Sequence, residues 1–146
     1  MAVHLLDVNV LVALAWPVHQ HHAAAHRWFH ANATSGWATC PITQCGFVRL
    51  SSNRNVLQAA VSPSAAVALI EKMIARPHHV FWSDDLPIQS NYFPRERVQG
   101  YRQVTDAYLI ALCLSRDGIF ATFDSASQSL EIAAAPRNVV TVIPAA

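Results

Sequence analysis

Short apolar runs alternate with longer helical segments along the whole chain, and this alternation constrains the fold more than any other feature. VHLLD reads as a short buried strand, and VNVLVALAW carries helical composition as far as Pro17. A second helix, HHAAAHRWFHANA, ends near Gly36; WATC is a strand stopped by Pro41; TQCGFVRLSS then opens a helix with Thr43 as N-cap. Residues 53–62 form a connector, and SPSAAVALIEKMIA has helical period, a serine cap at Ser62 or Ser64, and Pro63 near its first turn. HVFWS is the next strand, residues 86–104 are polar and interrupted by proline, and VTDAYLIALCLSRDG is the strongest helix, capped by Thr105 and closed by Gly118. IFATFD and NVVTVI read as the last two strands. Strands separated by helices of this length form βαβ units, so the expected fold is α/β: a three-layer α/β/α sandwich around a central, mostly parallel sheet. Sites in such sheets lie outside the carboxyl ends of the strands.

With 146 residues the chain has the size of one domain spanning residues 1–146. Charged residues make up 13%, about half the usual share, which hints that a partner covers part of the surface. The net charge of +1 argues against strong, indiscriminate nucleic-acid binding but leaves room for local basic patches. Nine of the ten basic residues are arginine, a type suited to bidentate phosphate contacts. Cys40, Cys45 and Cys113 form no CxxC pair and sit among apolar neighbours, so they are expected to be reduced core residues of a cytoplasmic protein. No apolar run has the length of a membrane span, and no secretory signal is expected.

The acidic residues carry the chemistry. LLDVNVLVAL places an ionisable group, Asp7, inside one of the most apolar segments, where a carboxylate is costly unless paired, hydrogen-bonded or bound to a cation. Asp106 in VTDAYLIAL and Asp124 in FATFD likewise fall at strand–helix junctions. Each has a structural reading, since Asp7 and Asp124 could cap helices and Asp106 suits a helical first turn. Three carboxylates at one sheet edge would repel each other without a cation, and such oxygen ligands suit Mg²⁺ or Mn²⁺.

LLDVNVLVAL, VTDAYLIAL and FATFD, in that order and at this spacing, resemble the PIN-domain ribonucleases, and most closely the VapC-type toxins of bacterial toxin–antitoxin systems. CPITQCGFVRLSSN is similar to the same branch in the region of its second acid. The resemblance implies a metal-dependent endoribonuclease with Asp7, Asp106 and Asp124 as its acidic site, Asp7 and Asp106 touching the metal directly. It implies products with a 5′-phosphate and a 3′-hydroxyl, a homodimer, and a cognate antitoxin laying an apolar segment and a basic side chain on the acidic pocket. Asn9 matches a polar position of the motif and is expected to orient the first carboxylate. Gln44 stands where the family usually has Glu, so one firmly held metal is expected, with a second only when RNA phosphate adds oxygens. A catalytically weak or inactive PIN-fold binding module, engaging a protein partner or RNA without cleavage, is the alternative that Gln44 raises. Asp84 and Asp85 are read as belonging to an exposed loop.

Other features carry less. Arg49 is a candidate RNA-phosphate contact or a residue that positions an acid. His22, His26 and His30 share one helical face near His19 and His21, a zinc-like spacing without a completing acid or cysteine, and a solvent-facing helix is expected. The four tryptophans are assigned to packing rather than to base stacking. There is no GxSxG elbow, no GxxxxGK[ST] loop and no dinucleotide fingerprint. A phospho-accepting receiver-like domain would need a lysine after a late strand, and the only lysine is Lys72, in a mid-chain helix.

Overall fold

In the computed structural model, residues 2–131 and 138–145 are described. The one-domain expectation for residues 1–146 therefore includes a few positions, 1, 132–137 and 146, outside the described residues. The elements run β1 (His4–Leu6), α1 (Val8–Ala15), α2 (His22–Asn32), β2 (Trp37–Thr39), α3 (Pro41–Ser51), α4 (Pro63–Ile74) and β3 (His79–Phe81), then α5 (Val104–Ser115), β4 (Ile119–Thr122) and β5 (Val140–Val142). The five strands form one sheet in the order β3-β2-β1-β4-β5, and every neighbouring pair is parallel.

Alternation of side chains along the strands divides the core into two layers. Leu6, Trp37 and Ala121 face a cluster built with Val10, Leu11 and Leu14 of α1, Phe29 of α2, Phe47 of α3 and Ile70 of α4. Their neighbours Leu5, Ala38 and Phe120 face the opposite way, onto Leu109, Ile110 and Leu112 of α5. The result is the expected three-layer α/β/α fold.

Capping follows the sequence at some helices and departs from it at others. Asp7 caps α1, and Ser62 caps α4 by accepting from the Ala65 amide at 3.1 Å, with Pro63 as the first helical residue. Helix α3 starts earlier than Thr43 suggests. Cys40 is its N-cap, and the Thr43 hydroxyl accepts from the Cys40 amide at 3.0 Å and donates to the Cys40 carbonyl at 3.1 Å. Nor does Thr105 cap α5, because a 3₁₀ turn, Tyr101–Gln103, runs directly into Val104 and places Thr105 inside the helix. After α5 the left-handed residue is Asp117, at φ 52°, while the Gly118 amide donates to the Cys113 carbonyl at 2.8 Å. Gly118 is required for a different reason: a Cβ there would collide with the Trp82 ring and lie 2.9 Å from the Val3 carbonyl oxygen.

Candidate active site

The site lies at the carboxyl ends of β1 and β4. Strand β1 sits mid-sheet, with the chain moving outward to β2 and β3 on one side and returning to β4 on the other. That makes the β1–β4 junction the topological switch point, where the connections diverge and leave a crevice. The Leu6–Ala121 register puts Asp7 just past the end of β1, and its amide extends the ladder by donating to the Ala121 carbonyl at 2.9 Å.

Both oxygens of the Asp7 carboxylate are held. Oδ1 accepts from the Val8 amide at 2.7 Å, and Oδ2 accepts from the Thr122 hydroxyl at 2.7 Å. Thr122 Oγ1 in turn accepts from the Asp124 amide at 3.0 Å, so one hydroxyl links the first acid to the backbone of the third. Asp124 Oδ1 accepts from the Ala126 amide at 3.0 Å and caps the 3₁₀ turn Ser125–Leu130. From that turn Ser127 donates to Asp106 Oδ2 at 3.3 Å, on the first turn of α5.

The electrostatics identify this as a place where negative charge is concentrated at a cost. Asp7 is 8% exposed, and its pKa is pushed up from 3.8 to about 6. Burial is the main cause, the Asp106 charge adds to it, and the Thr122 and Val8 hydrogen bonds work against it. The Asp106 pKa is raised too, first by burial, then by Asp124, with Ser127 opposing. Among the described residues no basic side chain forms an ion pair with any of the three. Among the described residues the only ion pair is Arg116–Asp85 at 3.3 Å. No set of three or more His, Cys, Asp or Glu side chains among the described residues is grouped closely enough to hold a metal alone.

Residues 4–132 match the family described as PIN domain. The chain belongs to the PIN-domain family. It is 50% identical over 123 residues to Ribonuclease VapC39 of Mycobacterium tuberculosis, covering 84% of this chain and 88% of that protein. Ribonuclease VapC38 of the same organism is 48% identical over 121 residues, 83% of this chain and 84% of the relative. Ribonuclease VapC44 is 41% identical over 133 residues, 90% and 91% of the two chains. This PIN domain is therefore of the VapC type.

Asn9, Gln44 and Arg49 have distinct surroundings in the PIN domain. Asn9 makes no hydrogen bond to Asp7; its Oδ1 is buried without a partner among the described residues. Thr122 orients Asp7 instead, and Ser127 does the same for Asp106. Neither was singled out, although a hydroxyl in the apolar strand IFAT and the serines of DSAS were the visible signals. Gln44 Nε2 donates to Thr39 Oγ1 at 3.0 Å, and Thr39 Oγ1 also shares a hydrogen with His79 Nε2 at 2.8 Å. The glutamine thus sits at the end of β2, next to β1, tied to a threonine rather than to the acids. Arg49 is exposed and lines a groove of about 530 Å³ with Val8, Ile42 and Thr105, the neighbours of Asp7 and Asp106 in sequence among them.

The histidine and cysteine expectations need correction. His30 is exposed as expected, but His22 and His26 are half-buried: their rings hydrogen-bond the Ala13 and Leu14 carbonyls, at 2.7 and 2.8 Å, and tie off the end of α1. Cys40 and Cys113 are buried as expected, but Cys45 is exposed. Trp37 and Trp82 are core residues, and Trp16 donates to Ser51 at 3.1 Å. Asp84 and Asp85 are exposed.

Proposed function

We propose that this chain is a divalent-metal-dependent endoribonuclease, the toxin of a toxin–antitoxin pair, with Asp7, Asp106 and Asp124 as its catalytic acids. The observation that carries the reading is the buried Asp7 carboxylate, near two further acids and, among the described residues, paired with no cationic side chain. An all-oxygen donor set of this sort fits Mg²⁺ or Mn²⁺, hard ions that keep several waters and need only one or two carboxylates directly. Asp7 and Asp106 would hold the ion and Asp124 would act through water. Bound there, it would offset charge developing on a scissile phosphate and lower the pKa of water. Thr122 and Ser127 fix the two carboxylates in place beforehand, so little reorganisation is left for the reaction. The products would be a 5′-phosphate and a 3′-hydroxyl.

Relatives bearing the name Ribonuclease VapC support an RNA substrate. We also assign the chain a single domain, a homodimeric state and a cytoplasmic setting. Free thiols at Cys40 and Cys45 suit a reducing compartment, and no helix among the described residues is long and apolar enough to cross a membrane. The antitoxin would occupy the groove beside the acids, where Val8, Pro41, Ile42 and Leu50 offer apolar contact.

The test compares RNA cleavage by the wild type, Asp7→Asn and Asp106→Asn with Mn²⁺ or with EDTA. The expected result is cleavage by the wild type alone, lost with EDTA and reduced at least about a hundredfold in each variant. Equal residual activity in all three proteins refutes the assignment.

A further inference from the structure

We propose that the loop preceding α5 is a platform for unpaired RNA, with Tyr101 stacking on a base and Arg97 meeting the phosphate backbone; this rests on the nuclease reading. Tyr101 is 81% exposed, the most exposed large hydrophobic side chain among the described residues. The Arg102 guanidinium lies 5.7 Å from the ring centroid, and its Nε donates to the Tyr101 hydroxyl at 3.2 Å. A ring so exposed keeps a face available, which is what base stacking asks of an aromatic.

Charge and shape point the same way. Arg95, Arg97 and Arg102 are all exposed, and none has a carboxylate within ion-pair distance among the described residues, although Glu96 lies between two of them. A polar cleft of about 480 Å³ is lined by Glu96, Arg97, Gln99, Gln103 and Ser129. Ser129 belongs to the 3₁₀ turn that supplies Ser127 to Asp106, and Gln103 precedes Asp106 by one helical turn. The cleft thus connects the basic loop to the acidic edge. Tyr101 and Asp106 are five positions apart in continuous helical backbone, about 8 Å along the axis and on different faces of it, so one strand reaches both by passing around the helix. Near neighbours on one RNA strand can span that distance.

A protein partner fits this cleft poorly, because its lining is polar and Arg97 within it has no ion pair among the described residues, while the apolar groove lies elsewhere, along α3. Duplex RNA fits poorly as well. Its bases are already stacked and its deep groove excludes side chains, whereas single-stranded loops present faces to aromatics.

The experiment reads binding separately from cleavage. Fluorescence anisotropy of a short labelled oligouridylate is measured in EDTA with the wild type, Tyr101→Ala, Tyr101→Phe and Arg97→Gln. A self-complementary duplex and an oligouridylate with one abasic position serve as second and third ligands. Tyr101→Ala is expected to weaken single-strand binding about tenfold, within the range of one lost stacking contact. Tyr101→Phe retains wild-type affinity, and Arg97→Gln lowers the slope of log affinity against log salt by about 0.7. The abasic strand loses affinity for the wild type but not for Tyr101→Ala. Wild-type affinity in Tyr101→Ala, or equal tightness for the duplex, overturns the inference. So does a wild type that binds no RNA, which would leave the surface to a protein partner. Cleavage assays with Mn²⁺ on the same proteins report on the nuclease reading independently, since strand binding without cleavage removes that reading and keeps this one.

Discussion

Replacing Asp7 with asparagine should stabilise the metal-free protein at neutral pH. The Asp7 carboxyl titrates at about 6 in the fold against 3.8 unperturbed, chiefly because it is buried. A raised pKa means that the folded state holds this proton more tightly than the unfolded chain does. The associated stability is complete below pH 3.8 and is lost as pH rises through about 6. At pH 7.5 the ionised group therefore costs about 3 kcal/mol, taking 1.36 kcal/mol for each pH unit between the two values. Asparagine carries no charge, and its carbonyl can still accept from the Val8 amide and cap α1. It cannot replace Oδ2 as acceptor for the Thr122 hydroxyl, a loss of about 1 kcal/mol. The net gain is about 2 kcal/mol at pH 7.5, or roughly 6 °C in Tm for a chain of this size. Near pH 4.5 most of the gain is gone, because wild-type Asp7 is then protonated in the fold. Thermal unfolding followed by circular dichroism, in EDTA at pH 4.5 and 7.5, measures the difference. Adding Mn²⁺ should raise the wild-type Tm at pH 7.5 and leave Asp7→Asn unchanged, since only an ionised site gains from a bound cation. If Asp7→Asn melts lower than wild type by the same amount at both pH values, the carboxylate is a stabilising cap and the electrostatic reasoning is refuted.

Thr122→Val removes the hydroxyl that bridges Asp7 and the Asp124 amide; a loss of about 2 kcal/mol in stability at pH 7.5 is expected by denaturant titration. Unchanged stability would show that the bridge contributes nothing. Gln44→Glu exchanges the amide that donates to Thr39 for a fourth acid beside the site. A lower Tm in EDTA and a larger rise with Mn²⁺ than in the wild type are expected, and the same response to metal in both proteins would place residue 44 outside the site. Gly46→Ala puts a methyl group 2.5 Å from Val8 Cγ2, so α3 must move away from the residue that follows Asp7. The expected cost is about 1–3 kcal/mol, together with reduced RNA cleavage.

The layered fold was legible because parallel strands buried on both faces leave short apolar runs, and the helices between them keep a separate period. The sheet edge was legible too: LLD and FATFD end in acids where a parallel sheet opens its crevice. Boundaries were harder to read. Thr43 looks like a cap from composition, yet its hydroxyl reaches back three residues to Cys40, so Pro41 becomes the first helical residue. The histidines show a limit of periodicity, which assigns residues to a face but not to what lies against that face. The tight α1–α2 connection brings the last carbonyls of α1 against the first turns of α2, and His22 and His26 satisfy them. Thr122 and Ser127 stand out in the sequence only as hydroxyls near the acids, and their roles stay hidden for a related reason. Their role depends on strand register and on the packing of a 3₁₀ turn against α5, neither of which a linear pattern encodes.

Gln44 can now be weighed by what it touches. Loss of the usual acid would suggest a lapsed site if the remaining carboxylates had relaxed into neutral partnerships. They have not. Asp7 keeps one hydroxyl and one amide donor and, among the described residues, no cationic partner, and the pKa values of Asp7 and Asp106 are both raised. Asp7 and Asp124 return some stability as caps, but the charge gathered at the site costs more than a cap requires, and a cation from outside the chain would compensate it. The glutamine reduces that charge by one while its amide ties α3 to the end of β2 through Thr39. A site with less self-repulsion is cheaper to fold without metal and depends more on substrate phosphate to complete a cation's oxygen shell.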